Sequence, residues 1–513
     1  MRASSTRRSK PSGGCSSPGG GSELPRAGSK AARPVYAVRM PSYRYETLSP
    51  QDASFLAAEG PNTPMHIAAA FIAEPGSLRT VHGGIDIERI RAFITGRLHR
   101  VPRYRERLAY TPLRGRPIWV DDDHFNAEFH IRHTALPYPG NDDQLKRLIG
   151  RLSSQTLDRR RPLWEFWVIE GLDGGARFAL FSKVHHAMVD GISGAELVMA
   201  LMGRSPDESN ESPPPFVPRP APGTRELLAE DLWSAASGPL AGAAKLGELL
   251  RADRRSELGR ALRSVGDLVS RGLVPASDTP LNAEIGPHRR FECFSLELAR
   301  IRAVKEKLGG TINDAVLATV AGGLRRFLTR RLLDVGALDF RVSAPVSVRA
   351  EGERSAGGNR VSAWIVPLPL GEADPLRRLE HVRATTRERK ASNQALGADL
   401  LSAVTEWTGT TLLSLGTSVQ SIARPHNLIV TNVPGPQIPL YLAGAQLLEA
   451  YPIAPLFQHQ TVSIALFSYA GNLFWGLNAD EERMPDLADL RADLEFAFDE
   501  LAALAGPGGA NPR

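Results

Sequence analysis

Two adjacent histidines, followed closely by an aspartate and a glycine, form the pattern in this 513-residue chain that is best suited to chemistry. The pattern reads HHxxxDG and consists of His185, His186, Asp190 and Gly191. A neutral imidazole has an ordinary pKa of about 6.5, so at cellular pH it can accept the proton of an alcohol as the alcohol oxygen attacks an electrophile. The aspartate can fix the loop by pairing with an arginine, and the glycine allows a tight backbone turn. The pattern therefore indicates general-base catalysis.

Two other interpretations of the same residues stay open at this point. His185, His186 and Asp190 could bind zinc together, although adjacent side chains on an extended segment point to opposite faces and rarely ligate one ion. The histidines could instead be structural residues in a turn, because isolated histidine–aspartate pairs are common.

The surrounding sequence predicts a strand before the motif and a helix after it. Trp164–Ile169 and Arg177–Val184 alternate like the two strands of a hairpin, with a glycine-rich turn between them. Ser193 and Glu196 have the spacing of a capping box, which predicts a helix that opens at Gly194. The motif is thus expected at a strand-to-helix turn, where side chains can converge on a cleft.

Strands and helices alternate through the rest of the chain as well. A second hairpin is predicted from Thr461–Tyr469 and Leu473–Leu477, with its turn at Gly471-Asn472. Helical periodicity predicts helices over Ile87–Leu98, Gln144–Ser154, Gly194–Met202, Asn313–Leu328 and Leu487–Leu504. This interleaving predicts an α/β fold with mixed sheets in both halves of the chain.

A proline-rich segment divides the chain into two halves. Ser205–Thr224 contains seven prolines and predicts an exposed linker, and Arg225–Leu273 then has leucines at helix-like intervals. The predicted organisation is a basic disordered tail (1–39), an N-terminal domain with HHxxxDG (40–204), a linker with amphipathic crossover helices (205–279), a C-terminal domain (280–506) and a short flexible tail (507–513).

Composition and charge exclude several classes of protein. The 42% hydrophobic and 23% charged residues are ordinary for a globular protein, which argues against a coiled coil or wholesale disorder. The two cysteines cannot form a disulfide framework, which favours a reducing, intracellular setting. Residues 1–39 hold eight basic residues and one acid, so the rest of the chain is nearly neutral despite an overall charge of +6. No nucleic-acid partner is therefore expected.

The sequence predicts no transmembrane helix, because it has no stretch of about 18 uncharged apolar residues. The nearest candidate, Leu400–Ala423, contains Glu406 and many hydroxyl residues and is better interpreted as amphipathic helices. We expect a cytoplasmic protein that attaches peripherally to a membrane or lipid-droplet surface through apolar faces of such helices.

Around the histidines the chain resembles the bacterial wax ester synthase/acyl-CoA:diacylglycerol acyltransferases, within the chloramphenicol-acetyltransferase-like superfamily of CoA-dependent enzymes. HHxxxDG alone would indicate only the superfamily. The narrower resemblance rests on further blocks that follow in family order: Leu48–Phe55, Pro64–His66, Pro162–Trp164, Pro280–Asn282, Gly286–Arg290, Asn313-Asp314, Pro345–Arg349, Gly358-Asn359, Thr431–Pro436 and Gly476–Asp480.

The resemblance implies two domains of mixed sheet and helices with a tunnel at their interface, and an acyl group that moves from acyl-CoA to a hydroxyl of diacylglycerol. It also implies long-chain alcohols as acceptors, which would give wax esters. His186 would be the general base, while His185, Asp190 and Gly191 organise its loop. Acyl-CoA is then a substrate, and neither a cofactor nor a metal is expected.

Further candidate residues for substrate binding or for stabilising the oxyanion lie in the second half: Asn313, Asp314, Thr431 and Asn432. The first two are equally compatible with a helix cap, and the last two with a turn that stops the strand Leu428–Val430. Arg289, Arg290 and Arg349 are candidates to hold the charged head of CoA.

Two alternative functions are compatible with the motif. One is a different HHxxxDG acyltransferase of the glycolipid or condensation type, and the other is a non-catalytic lipid-binding protein on the same fold. The blocks around Asn313 and Thr431 argue against the first, and the intact motif argues against the second.

Overall fold

The computed structural model describes residues 45–189, 199–208, 215–233, 275–347, 361–395 and 424–506. Most of the predicted helix Gly194–Met202, the whole of Leu400–Ala423 and the greater part of Arg225–Leu273 lie outside the described residues. Residues 224–233 are helical, as predicted for the start of that last segment, and 215–223 of the predicted linker have no regular structure. No helix in the described part of the chain is long and apolar enough to cross a membrane.

The first half of the chain alternates strands and helices. In chain order its elements are β1 Glu46–Thr47, α1 Pro50–Ala58, β2 His66–Ala73, α2 Ile87–Arg97, β3 Glu106–Tyr110, β4 Pro117–Asp121, α3 Ala127–His130, β5 Ile131–Ala135, α4 Asp142–Ser154, β6 Trp164–Leu172 and β7 Arg177–His185. The predicted hairpin around the motif is therefore confirmed as β6 and β7.

The second half also combines strands and helices. Its elements are β8 Arg289–Glu297, α5 Leu298–Leu308, α6 Ile312–Arg330, β9 Arg341–Ser347, β10 Val361–Pro367, α7 Pro375–Ala395, β11 Leu428–Pro434, β12 Tyr441–Leu442, β13 Ala445–Ile453, β14 Val462–Tyr469, β15 Asn472–Asp480 and α8 Leu487–Ala505. Of the predicted helices, those now numbered α2, α4, α6 and α8 are confirmed to within two residues at each end.

Two large mixed sheets organise the described residues. One has the strand order β12-β13-β2-β7-β6-β5, and the other has the order β10-β9-β11-β14-β15-β8. In the first sheet β5 and β6 are parallel, and in the second β11 is parallel to both β9 and β14; the other pairs are antiparallel. The predicted α/β class with mixed sheets is thus confirmed.

Local sequence explains where several elements begin and turn. The Asn141 side chain accepts a hydrogen bond from the backbone N–H of Gln144 at 3.0 Å, and the Gln144 side chain accepts one from Asn141, which forms a capping box for α4. Between β14 and β15, Ala470 and Gly471 have φ of 43° and 85° and form a tight two-residue turn. The turn is one residue earlier than predicted, because Asn472 already pairs with Tyr469.

The second half of the chain contributes strands to the first sheet. Strand β13 pairs antiparallel with β2, with Ala450 opposite Phe71 and Ile453 opposite Ala68. Strand β2 therefore has a hydrogen-bonded partner on both sides, and its backbone is not left as an open sheet edge. The two halves are interlocked along the strand that begins at His66.

Two glycines allow close backbone contact, one between the halves of the chain and one between the two large sheets. A Cβ at Gly150 of α4 would overlap the carbonyl of Arg289 in β8, and a Cβ at Gly476 of β15 would overlap the carbonyl of Pro452 in β13. The backbones meet there at a separation that any side chain would prevent. Gly476, the first residue of the block Gly476–Asp480, is therefore a packing position where the two sheets meet.

We expect Gly476→Ala to destabilise the protein, because the new methyl group must push β15 away from β13. Overpacking of this kind costs about 1–3 kcal/mol of unfolding free energy. Denaturant unfolding followed by circular dichroism measures the change. Gly223→Ala is the matched control, since the nearest atom to its Cβ is a flexible Glu226 side-chain oxygen at 3.6 Å. Equal stability of the two variants would contradict this account of the interface.

Candidate active site

The histidine pair lies at the end of β7, where the strand meets a short 3-10 turn that begins at His186. The backbone N–H of His185 donates to the carbonyl of Leu163 at 2.9 Å, and that of His186 donates to the carbonyl of Met65 at 2.8 Å. Leu163 precedes β6 and Met65 precedes β2, which are the two strands beside β7. The pair is therefore held from both sides by the blocks Pro162–Trp164 and Pro64–His66.

The ring of His185 is fully buried and faces a carboxylate. Its Nδ1 accepts a hydrogen bond from the backbone N–H of Ala187 at 3.0 Å, and its Nε2 lies 3.5 Å from Oε1 of Glu59. Because Nδ1 is an acceptor, a neutral His185 carries its proton on Nε2, on the side of the carboxylate. The organising role predicted for His185 stays a prediction, and this arrangement is compatible with it.

The ring of His186 stacks on the ring of Phe55, with centroids 3.7 Å apart and planes inclined by 20°. The ring keeps some exposed surface, but the protein around it removes enough water that desolvation lowers the pKa of His186 to about 4. The imidazole is therefore neutral at cellular pH and can accept a proton.

A buried carboxylate that the sequence analysis did not single out lies beside the pair. The Glu59 side chain is 7% exposed, and its Oε1 lies 3.3 Å from Nε2 of His66 as well as near His185. Its Oε2 accepts hydrogen bonds from Nε and Nη2 of Arg159 at 3.1 and 2.7 Å. Burial alone would raise the pKa of this carboxyl, but the facing histidines and Arg159 outweigh burial and hold the pKa far below its usual range.

A helical spacing in the sequence could have pointed to Glu59. Phe55 and Glu59 are four residues apart, a spacing that in a helix places two side chains on the same side, although the structure ends α1 at Ala58 and Glu59 caps it with an extended backbone. The block Leu48–Phe55 was noted in the sequence only as a family resemblance. No pattern there indicates that its helix packs against the turn at His186, because that contact joins residues far apart in the chain.

Asp190 and Gly191 lie outside the described residues, so their predicted roles in the loop stay predictions. The predicted capping box of Ser193 and Glu196 lies outside them too.

The pair Asn313-Asp314 occupies the first turn of α6. Thr311 and Asp314 form a capping box, in which Oδ2 of Asp314 accepts from the backbone N–H and the hydroxyl of Thr311, both at 2.8 Å. Oδ1 of Asp314 accepts from the hydroxyl of Thr386 at 2.6 Å. The helix-cap interpretation therefore describes Asp314, whereas the half-buried Asn313 stays a predicted donor at the site.

Thr431 and Asn432 lie within a strand and not in the loop that the sequence suggested. Strand β11 continues to Pro434, with Thr431 opposite Ala465 and Asn432 opposite Leu466 of β14. From the Pro/Gly-rich sequence alone, the strand was expected to end at Val430. The parallel pairing with β14 extends it to Pro434. Both side chains are half-buried, and their contact with substrate stays a prediction.

Arg289, a candidate to hold CoA, is largely engaged within the protein. Its side chain is buried, and its guanidinium donates to the carbonyls of Gly286 at 2.7 Å, His288 at 3.0 Å and Asn62. This arginine therefore joins the two halves of the chain through three hydrogen bonds to backbone carbonyls, and its candidacy for CoA stays a prediction. Arg349 lies outside the described residues.

Two family models match the chain. Residues 48–316 match the wax ester synthase/diacylglycerol acyltransferase catalytic domain, and residues 357–502 match the C-terminal domain of the same family. A provisionally named diacylglycerol O-acyltransferase of Mycobacterium tuberculosis is 32% identical over 500 residues, which cover 90% of this chain and 98% of that protein.

Solved structures give the same result. The wax ester synthase/diacylglycerol acyltransferase from Marinobacter aquaeolei VT8 is 27% identical, with a TM-score of 0.64, over 90% of this chain and all of that one. The first condensation domain of the calcium-dependent antibiotic synthetase shares the fold at 18% identity and a TM-score of 0.54, over 91% of this chain and 98% of its own. With the HHxxxDG pair at the end of β7 and these full-length matches, the chain belongs to the wax ester synthase/diacylglycerol acyltransferase family.

Proposed function

We propose that this protein transfers an acyl group from long-chain acyl-CoA to the hydroxyl of diacylglycerol, forming triacylglycerol, and that it also esterifies long-chain alcohols to wax esters. The observation that carries the proposal is the neutral His186 imidazole, held against Phe55 at the end of β7. Family membership supplies the substrate classes. Release of CoA from palmitoyl-CoA, measured with diolein, with hexadecanol and with both in competition, tests the acceptors directly.

In the proposed mechanism His186 acts as the general base. It removes the proton of the acceptor hydroxyl as the oxygen attacks the thioester carbonyl, which gives a tetrahedral oxyanion. The carbon–sulfur bond then breaks, the ester is released, and the imidazolium returns its proton to the CoA thiolate. The ring of Phe55 lies parallel to the imidazole and can stabilise the transient positive charge by about 0.5–2 kcal/mol. No acyl-enzyme intermediate is needed.

The remaining predicted residues would support this step. Asp190 and Gly191 would shape the loop after His186, and Asn313 would donate to the thioester carbonyl oxygen. Thr431 and Asn432 would contact substrate from β11. The predicted tunnel would open between the halves, where residues of both line a small cavity beside His66, among them Lys183, Arg289 and Asn478.

Replacement of the base gives the first test of this function. We expect His186→Ala to lower kcat by about 10²–10⁴-fold with diolein while the unfolding transition is kept, because a general base contributes about that much. His124→Ala is the matched control, since the His124 side chain is 87% exposed. Near-normal turnover in a folded His186→Ala variant would refute the mechanism.

The pH dependence gives a second test. The base must be neutral to act, so kcat/KM should be constant from pH 8 to about 5.5 and fall only as the pH approaches 4, where His186 becomes protonated. Burial also lowers the pKa of His66 to about 4, so its protonation favours the unfolded state as the pH drops below 6.5. Circular dichroism at each pH therefore defines the usable range. An acid limb centred near 6.5 in folded protein would contradict the assignment.

The substrates also bear on location. Both partition into lipid, and we propose that the protein attaches reversibly to a membrane or lipid-droplet surface through apolar helix faces. The body of the chain is nearly neutral, so electrostatic attraction should contribute little beyond the basic residues 1–39.

Co-sedimentation with phosphatidylcholine vesicles across a salt series tests this attachment. We expect a substantial bound fraction to persist from low to high salt, because burial of apolar surface is not screened by ions. Complete release of the full chain at moderate salt would show that the attachment is electrostatic.

A further inference from the structure

The mechanism above makes no use of Glu59, although this carboxylate is buried against the histidine pair. Its side chain is only 7% exposed, and a buried charge is costly unless it is paired. Both oxygens have partners: Oε2 accepts two hydrogen bonds from Arg159, and Oε1 accepts one from the backbone N–H of Met65 at 3.3 Å. The same Oε1 faces the two buried imidazoles of His66 and His185 at 3.3 and 3.5 Å.

The position of Glu59 connects it to the base by two routes. Through His185, it fixes the ring whose Nδ1 accepts from Ala187, a residue inside the 3-10 turn that begins at His186. Through α1, it is the residue that follows the helix, and its backbone N–H donates at 3.1 Å to the carbonyl of Phe55, whose ring stacks on His186. Glu59 therefore contacts both the segment that leads to the base and the end of the helix that carries Phe55.

A metal site is a poor explanation of the same cluster. Arg159 already balances the charge of the carboxylate with two hydrogen bonds, and a cation beside an arginine would be repelled. Among the described residues, the group whose ligand atoms all lie within 4.8 Å of one another is Asp122, Asp123 and His124, elsewhere in the chain.

We propose that Glu59 is a positioning residue for acyl transfer: its carboxylate faces Nε2 of His185 at 3.5 Å, holds that ring by electrostatic attraction and so fixes the turn and the orientation of the His186 ring, with Arg159 as its counter-ion. The proposal rests on His186 being the general base. Glutamine could not replace the carboxylate, because one amide oxygen cannot serve both Arg159 and the facing imidazoles, and the amide NH₂ would meet the Nε2 protons.

Glu59→Gln should lower kcat on the order of 100-fold with little change in KM for palmitoyl-CoA, because misplacing a base by about 1 Å costs that much. Glu170→Gln is the matched control. Like Glu59 with His66, Glu170 lies 3.3 Å from Nε2 of a histidine, His133. Glu170 is far from the site, because the residue before it on β6, Ile169, pairs with Ala179 of β7. Ala179 is six residues, or roughly 20 Å, from His185 along the strand. This control should keep normal kcat.

Two further variants separate positioning from simple charge balance. Glu59→Gln combined with Arg159→Gln removes both charges and should recover the unfolding midpoint, but not kcat. Glu59→Asp keeps the charge beside Arg159 and draws the oxygens back by about one carbon–carbon bond, so it should stay folded and still lose kcat. A purely structural role predicts that kcat returns in both variants together with stability.

The outcomes distinguish this proposal from the function on which it rests. Normal kcat in Glu59→Gln, in Glu59→Asp or in the double variant, with His186→Ala inactive, would overturn the positioning role and leave the general base intact. An active His186→Ala variant would overturn both. Low kcat with unchanged KM in folded Glu59→Asp and in the folded double variant, together with a normal Glu170→Gln, would support the proposal.

Discussion

The geometry of the site depends on how the backbone of the histidine pair is held between two neighbouring strands. One N–H donates toward β6 at Leu163, and the next donates toward β2 at Met65. Consecutive residues of a strand send their hydrogen bonds to opposite sides, so this clamp requires that β7 be central in its sheet. The strand order β2-β7-β6 meets that requirement. The 3-10 turn can begin at His186 while His185 keeps its backbone hydrogen bond to Leu163.

The interlocked halves extend the same constraint outward. Strand β2 is itself held by β13, which comes from the second half of the chain. Close backbone contact at Gly150 joins α4 to β8 of the second half, and close contact at Gly476 joins the two sheets. A disturbance at the interface would therefore reach Met65 and the turn at His186 through one continuous sheet. The site is better described as a product of the whole described fold than of its N-terminal half alone.

How much of this the sequence could predict depends on the range of the contacts involved. Hairpins, helix ends and the position of HHxxxDG after a strand follow from local patterns, and the structure confirms them. The contact of Glu59 with His185 joins residues more than a hundred positions apart, and so does the pairing of β13 with β2. The extension of β11 past Val430 needs β14 beside it. No local signal encodes such contacts, which is why the sequence analysis missed Glu59.

The sequence blocks on which the family resemblance rests differ in whether they take part in chemistry or hold the fold. Pro162–Trp164 and Pro64–His66 act through backbone carbonyls, and Trp164 itself is a buried core residue whose indole N–H donates to the carbonyl of Tyr104 at 2.8 Å. Asp314 caps a helix, and Gly476 lets two sheets approach. Most of these blocks preserve a geometry, and His186 would perform the proton transfer that uses it. A chain could therefore match every block and still lack turnover if the turn at His186 were displaced, which makes the carboxylate of Glu59 the most informative residue to change.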